Sequence, residues 1–199
     1  MKLKNTYYLL RHGESLKNVM DFESCWPEKR YSPLTKKGKK EAKKAGLEAK
    51  SKKIDIIFHS NLLRTKQTAK IVGKILGVNP ESDKRLREVN IGIFNGQSIR
   101  VYGNFWDKEG KLSPLQYYSE RYRISLPRGE NYRDLEKRLA SFIGEVEKKY
   151  KDKNILIISH QRPLTLLEKV ANGYSLNKLV SIIMSKKEVK TGELRKLRK

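Results

Sequence analysis

The chain has 199 residues, 37% of them hydrophobic and 34% charged, with 45 Lys and Arg against 22 Asp and Glu, giving a formal net charge of +23. That length holds one sizeable core, and its long apolar runs exclude a disordered polyelectrolyte. Cys25 is the only cysteine, which excludes an internal disulfide and suits a reducing compartment.

The N-terminus lacks the long apolar region and cleavage site of a signal peptide. No run approaches the length that spans a bilayer. A cytoplasmic protein with no membrane partner is expected.

Residues 6–10 form an apolar run read as a buried strand, which leads into Arg11 and His12. Residues 35–50 read as a helix. Ala42, Ala45, Gly46 and Ala49 make a narrow face that can lie close on a sheet, and lysines fill most of the rest. A second strand at 54–58 leads to His59. A helix at 62–76 carries Ala69, Val72, Ile75 and Leu76 on its core face, and Gly77 and Pro80 stop it.

Periodicity weakens over residues 97–128. This stretch holds Tyr102, Phe105, Trp106, Tyr117, Tyr118 and Tyr122 with Arg121 and Arg123. It is expected as an insertion or lid over the sheet edge, within a single domain spanning 1–199. A long helix at 132–150 shows the stripe Leu135, Leu139, Phe142, Ile143 and Val146. A third strand at 155–158 leads to His160, and a helix runs from Pro163 to near Gly173. The tail from Lys186 onward is basic, with a last short strand within 189–197 after a turn at Gly192.

Alternating strands and helices predict an α/β fold, with helices flanking a mostly parallel central sheet. Ligands of open α/β sheets bind beyond the carboxyl ends of strands. His12, His59 and His160, the only histidines, all fall there.

Chemistry concentrates at Arg11-His12-Gly13-Glu14-Ser15. An imidazole held in one tautomer can attack phosphorus. A guanidinium beside it can grip phosphoryl oxygens as a fork, and glycine permits close backbone approach.

The run from Leu9 to Ser15 with Asn18 resembles the signature of the histidine phosphatase superfamily. Further blocks of that family follow in order: Pro33-Leu34-Thr35 with Gly38 and Ala42; Ser60-Asn61-Leu62-Leu63-Arg64-Thr65 with Gln67-Thr68-Ala69; Leu86-Arg87-Glu88 with Gly92 and Gly96; Gly129-Glu130; and Ile157-Ile158-Ser159-His160. Together they cover most of the chain.

The resemblance implies a phosphoglycerate mutase-like three-layer sandwich and a phosphoric monoester hydrolase. His12 would be the nucleophile and form a phosphohistidine. Arg11, Arg64 and His160 would line the phosphate pocket, where cations stabilise the equatorial oxygens. Glu88 would protonate the leaving oxygen and then activate water. Asn18, Ser15 and Gln161 are the candidate substrate-binding residues. No metal and no cofactor are implied, because arginines and histidine supply the charge.

Two departures stand out. Gln161 replaces the glycine usual after the second histidine, which matters only if the position demands positive φ. His59 stands where the family usually has a small hydroxyl residue. It lacks partners at metal-ligand spacing, so a structural role is favoured.

The expected partner is a small phosphorylated metabolite. Mutases of this family carry a longer chain and paired arginines in the insertion; here Tyr122 separates Arg121 from Arg123, which argues for hydrolysis over a cofactor-dependent phosphoglycerate mutase. A non-catalytic binder of nucleic acid or acidic partners would explain the net charge. It would not explain a complete set of nucleophile, cations and proton donor, and the lysines follow solvated helix faces. Nothing in the sequence fixes the oligomeric state.

Overall fold

The structure, a computed structural model, describes residues 2–107 and 110–197. Met1, residues 108–109 of the expected insertion and the last two residues of the basic tail lie outside the described residues. Five strands form one sheet: β1 (Thr6–Arg11), β2 (Ile56–His59), β3 (Pro80–Ser82), β4 (Asn154–Ser159) and β5 (Leu194–Lys196), in the order β3-β2-β4-β1-β5. The first four pair in parallel and β5 joins β1 antiparallel.

The helices are α1 (Leu16–Val19), α2 (Lys36–Ala49), α3 (Leu63–Leu76), α4 (Ile99–Trp106), α5 (Pro114–Arg123), α6 (Tyr132–Lys149), α7 (Gln161–Asn172) and α8 (Leu176–Met184). They lie on both faces of the sheet, so the mostly parallel three-layer architecture expected from the alternation is what the chain adopts.

Side chains alternate across a strand, and this divides the core in two. Tyr7 and Leu9 of β1 with Ile155 and Ile157 of β4 pack with α6 and α7. Tyr8 and Leu10 with Leu156 and Ile158 face the other way, onto Ala45 and Ala49 of α2 and Ala69 and Val72 of α3. The small-residue face of α2 is buried as its spacing predicts. Thr35 caps that helix by accepting from the Gly38 N–H at 3.0 Å. The α6 stripe is also buried, none of its five residues more than 4% exposed, and truncating one such Leu to Ala typically costs about 2–5 kcal/mol.

Some elements differ from expectation. β2 starts two residues later than the apolar run, although Ile54 is itself buried. α7 starts two residues before Pro163, which still falls in the first turn, where its missing N–H leaves no bond unmade. On α3, Ile75 and Leu76 are only partly buried. β3 was not expected; three residues show no period, and Pro80 opens an edge strand, a position that tolerates proline. α8 was also missed, although Ser175 caps it and Leu179, Val180 and Ile183 are buried. The described residues of the 97–128 stretch include α4 and α5. α5 packs on α6 and α8, and Tyr102 and Tyr118 join the core.

Candidate active site

β1 and β4 lie side by side and end together, so the loops after them converge. His12 follows β1, and its N–H donates to the Ser159 carbonyl at 3.0 Å. The side chain is 2% exposed. Nδ1 lies 2.8 Å from the Gly13 carbonyl, and Nε2 lies 3.2 Å from Arg64 Nε. A guanidinium only donates, so Nε2 is the acceptor and Nδ1 carries the proton. Burial, then the charges of Arg64 and Arg11, hold His12 well below the ordinary imidazole value. The ring is therefore neutral, with its lone pair on Nε2.

Backbone packing fixes that loop. A Cβ on Gly13 would lie 2.2 Å from the Gly38 carbonyl oxygen, and one on Gly38 would lie 1.9 Å from the Glu14 carbonyl oxygen. Only two glycines let the loop sit on the first turn of α2. The Gly13 N–H donates to Thr68 Oγ1 at 3.2 Å, and the Thr35 N–H donates to the Glu14 carbonyl at 2.9 Å.

Arg64 lies in the first turn of α3 and is fully buried. It donates through Nη1 to Ser24 Oγ at 3.3 Å and Glu28 Oε1 at 3.5 Å, and through Nη2 to the Ser24 carbonyl at 3.1 Å. Glu28 also accepts from the Leu63 N–H at 2.8 Å, tying this loop to the start of α3.

His160 occupies the N-cap position of α7, and its ring centroid lies 5.1 Å from that of His12, edge to face. Its Nε2 meets Ser60 Oγ at 2.9 Å, while Nδ1 is buried with no partner. Burial and then Arg64 lower its proton affinity well below the ordinary value. Arg11, at the end of β1, also has a buried Nε with no partner. Burial pulls Arg11 and Arg64 below the usual guanidinium range, and in both the Glu88 carboxylate is the foremost charge opposing it.

Glu88 sits in the loop after β3. Its Oε1 accepts from the Val89 N–H at 3.0 Å. Arg138 of α6 clamps the segment, donating to the carbonyls of Arg85, Arg87 (2.8 Å) and Glu88 (3.2 Å) while pairing with Glu130 at 2.7 Å. Glu88 lines a cavity of about 120 Å³ with Lys17, Glu23, Ser24, Tyr102, Arg121, Gln161 and Arg162.

The sequence candidates fall into three groups. Arg11, His12, Arg64, Glu88 and His160 converge. Gln161 lines the cavity in the first turn of α7, outside the residues with positive φ, so the missing glycine leaves no backbone strain. Its amide donates to Glu188 at 2.8 Å. Asn18 and Ser15 act together: Ser15 is fully buried, and both its N–H and Oγ donate to Asn18 Oδ1 at 2.9 Å. The Ser15 hydroxyl is thus engaged with Asn18, an exposed residue of α1.

His59 stands apart. It bonds through Nδ1 to the Ser60 carbonyl at 2.7 Å and lines a separate cleft with Lys66, Lys70 and Lys74. Among the described residues, no group of three or more His, Cys, Asp or Glu could hold a metal ion. Ser24, Glu28 and Arg138 were missed. Each holds a site residue through long-range bonds, which leave no periodic trace in the sequence.

This geometry offers a neutral imidazole nitrogen beside Arg64 and His160, with Arg11 and the Glu88 carboxyl close enough to act on the same charges. It is suited to receiving a phosphoryl group. Residues 7–195 match the model of the histidine phosphatase superfamily (branch 1). The chain is 30% identical over 179 residues to "Putative phosphoserine phosphatase 2" of Hydrogenobacter thermophilus, covering 89% of this chain and 83% of that one. It is 31% identical over 177 residues to "Probable phosphoglycerate mutase GpmB" of Salmonella arizonae, covering 89% and 74%. Its fold superposes on the alpha-ribazole phosphatase from Shigella flexneri with a TM-score of 0.76 at 24% identity, covering 95% of this chain and 88% of the other. The chain belongs to the histidine phosphatase superfamily, branch 1.

Proposed function

We propose that this chain is a phosphomonoesterase that hydrolyses small phosphorylated metabolites through a phosphohistidine on His12. One observation carries the reading: Nε2 of a buried, neutral His12 holds its lone pair 3.2 Å from Arg64 Nε. In the first step Nε2 forms a bond to phosphorus and the bond to the ester oxygen breaks, with Glu88 giving that oxygen its proton. In the second, Glu88 takes a proton from water, the hydroxide attacks phosphorus, and the N–P bond breaks to release inorganic phosphate. Arg11, Arg64, His160 and Asn18 hold the oxygens throughout.

The reaction is proposed to need no metal, since guanidinium groups supply the charge a cation would. Hydrolysis is favoured over mutase chemistry because Arg121 lines the cavity while Arg123 is exposed, so the insertion does not present an arginine pair. The name of the Hydrogenobacter relative supports this reading, and that of the Salmonella relative keeps the mutase as the alternative. A cytoplasmic location is proposed from the single buried thiol of Cys25; among the described residues no helix is long and apolar enough to cross a membrane.

The test is hydrolysis of p-nitrophenyl phosphate in excess chelator, wild type beside His12→Ala. Turnover that persists with chelator and vanishes in the variant supports the proposal. Turnover that needs added metal, or survives in His12→Ala, refutes it.

A further inference from the structure

Among the described residues two carboxylates are buried, Glu147 and Glu188, 8% and 7% exposed. The proposed reaction uses neither, and they serve opposite ends of the sheet. Glu147, on α6, accepts from Asn5 at 2.9 Å and from Tyr7 at 2.6 Å, at the amino end of β1. Glu188 lies in the segment between α8 and β5 and meets α7 at the carboxyl end, beside the candidate active site.

A buried carboxylate is costly unless it is paired and hydrogen-bonded. Glu188 finds those partners on the first turns of α7. Its Oε1 accepts from Arg162 Nη1, with the Thr165 hydroxyl 3.0 Å away, and its Oε2 accepts from Gln161 Nε2 at 2.8 Å. A carboxylate only accepts, so it fixes which end of the Gln161 amide turns toward it. Gln161 and Arg162 both line the cavity that holds Glu88, whereas Glu188 does not. The carboxylate therefore stands behind the cavity wall and grips two of its side chains.

The segment that carries Glu188 is itself anchored. Arg195 of β5 donates to the carbonyls of Lys187 at 2.7 Å and Glu188 at 3.3 Å. Further along, the Gly192 N–H donates to the carbonyls of Arg11 at 3.1 Å and His12 at 3.3 Å. One segment thus braces the His12 loop and the cavity wall together. After Glu88, Glu188 is the next carboxylate whose charge opposes the effect of burial on Arg11.

We propose that Glu188 is a positioning residue for hydrolysis, which acts through Gln161 and Arg162 to set the cavity wall where Glu88 protonates the leaving oxygen. This rests on the phosphatase reading above and adds a residue that touches no substrate. It also gives Gln161 a purpose: a glycine there would leave Oε2 without its donor.

The test is the ratio of kcat/KM for phenyl phosphate to that for p-nitrophenyl phosphate, measured with thermal unfolding. Phenolate is the poorer leaving group, so phenyl phosphate depends more on the proton from Glu88. A loss of folded enzyme lowers both substrates equally and leaves the ratio unmoved. In Glu188→Gln the ratio should fall by about tenfold or more, part of the roughly hundredfold to ten-thousandfold that a general acid supplies. Glu147→Gln, the comparison at the other end of the sheet, should lose stability and keep the wild-type ratio. If Glu188→Gln does not fold, Glu188→Asp decides: it keeps the charge, but one carbon shorter it cannot reach both Gln161 and Arg162, and the ratio should fall in it too. An unchanged ratio in a folded Glu188 variant, or an equal fall in Glu147→Gln, overturns the positioning role and leaves the phosphatase reading standing. No turnover of either ester by the wild type overturns both.

Discussion

Arg64 Nε donates to His12 Nε2 across 3.2 Å, so the cation proposed to hold the phosphate already grips the atom proposed to attack it. The contact fixes the tautomer and keeps a proton off Nε2. Arg64→Lys should lower kcat by roughly a hundredfold to a thousandfold, because one ammonium cannot span His12, Ser24 and Glu28 as the planar fork does. Steady-state kinetics on p-nitrophenyl phosphate, with thermal unfolding to confirm folding, check this. Activity within a few fold of wild type would mean that the charge alone suffices.

The Gly13–Gly38 contact sets a steric limit. Gly13→Ala places a methyl 2.2 Å from the Gly38 carbonyl oxygen, and backbone on both sides must move. A loss of about 1–3 kcal/mol is expected, together with a loss of activity, since the displaced loop carries His12. Chemical denaturation and kcat measured on one preparation test both. An unchanged midpoint would show that the loops are not in contact.

Stability should depend on pH through the buried histidines. His12 and His160 are held well below the ordinary value of 6.5, and His59 is lowered as well. In the unfolded chain all three titrate near that value. Below it the unfolded chain takes up protons that the folded one does not, so stability is full above pH 6.5 and falls as pH drops. The melting temperature should fall between about pH 6.5 and 5, and fall less in His160→Gln. A flat profile, or an identical fall in the variant, contradicts neutral burial.

Arg138 is not among the residues that line the Glu88 cavity, yet it holds three carbonyls of the segment that carries Glu88. Arg138→Met should lower kcat by up to about a hundredfold through misplacement of Glu88, with a smaller change in KM. If KM rises while kcat holds, Arg138 serves binding and not the proton donor.

Most of the candidate site was legible because its residues sit at strand ends and helix starts, where apolar runs stop. His12 and His160 each follow a strand whose run is unmistakable, and Arg64 begins a helix with a clear core face. The supports were not legible: Arg138 reaches Glu88 across 50 residues of sequence, and Ser24 reaches Arg64 across 40. Such bonds depend on the assembled sheet. β3 escaped because three residues carry no period, and α8 escaped because its nine residues show little more than two turns of an apolar face, close behind the Gly173 stop of α7. The burial of Arg121 was hidden among aromatics that only the folded chain brings around it.

The most direct measurement is to trap the intermediate. Wild type and His12→Asn are mixed with a radiolabelled phosphomonoester in chelator and quenched in alkali, and the labelled peptide is mapped. A label that is stable to alkali, lost in mild acid and carried on the peptide containing His12 is the expected result, absent from His12→Asn. Turnover with no label on wild type under single-turnover conditions, or a label on another residue, would contradict nucleophilic attack by His12.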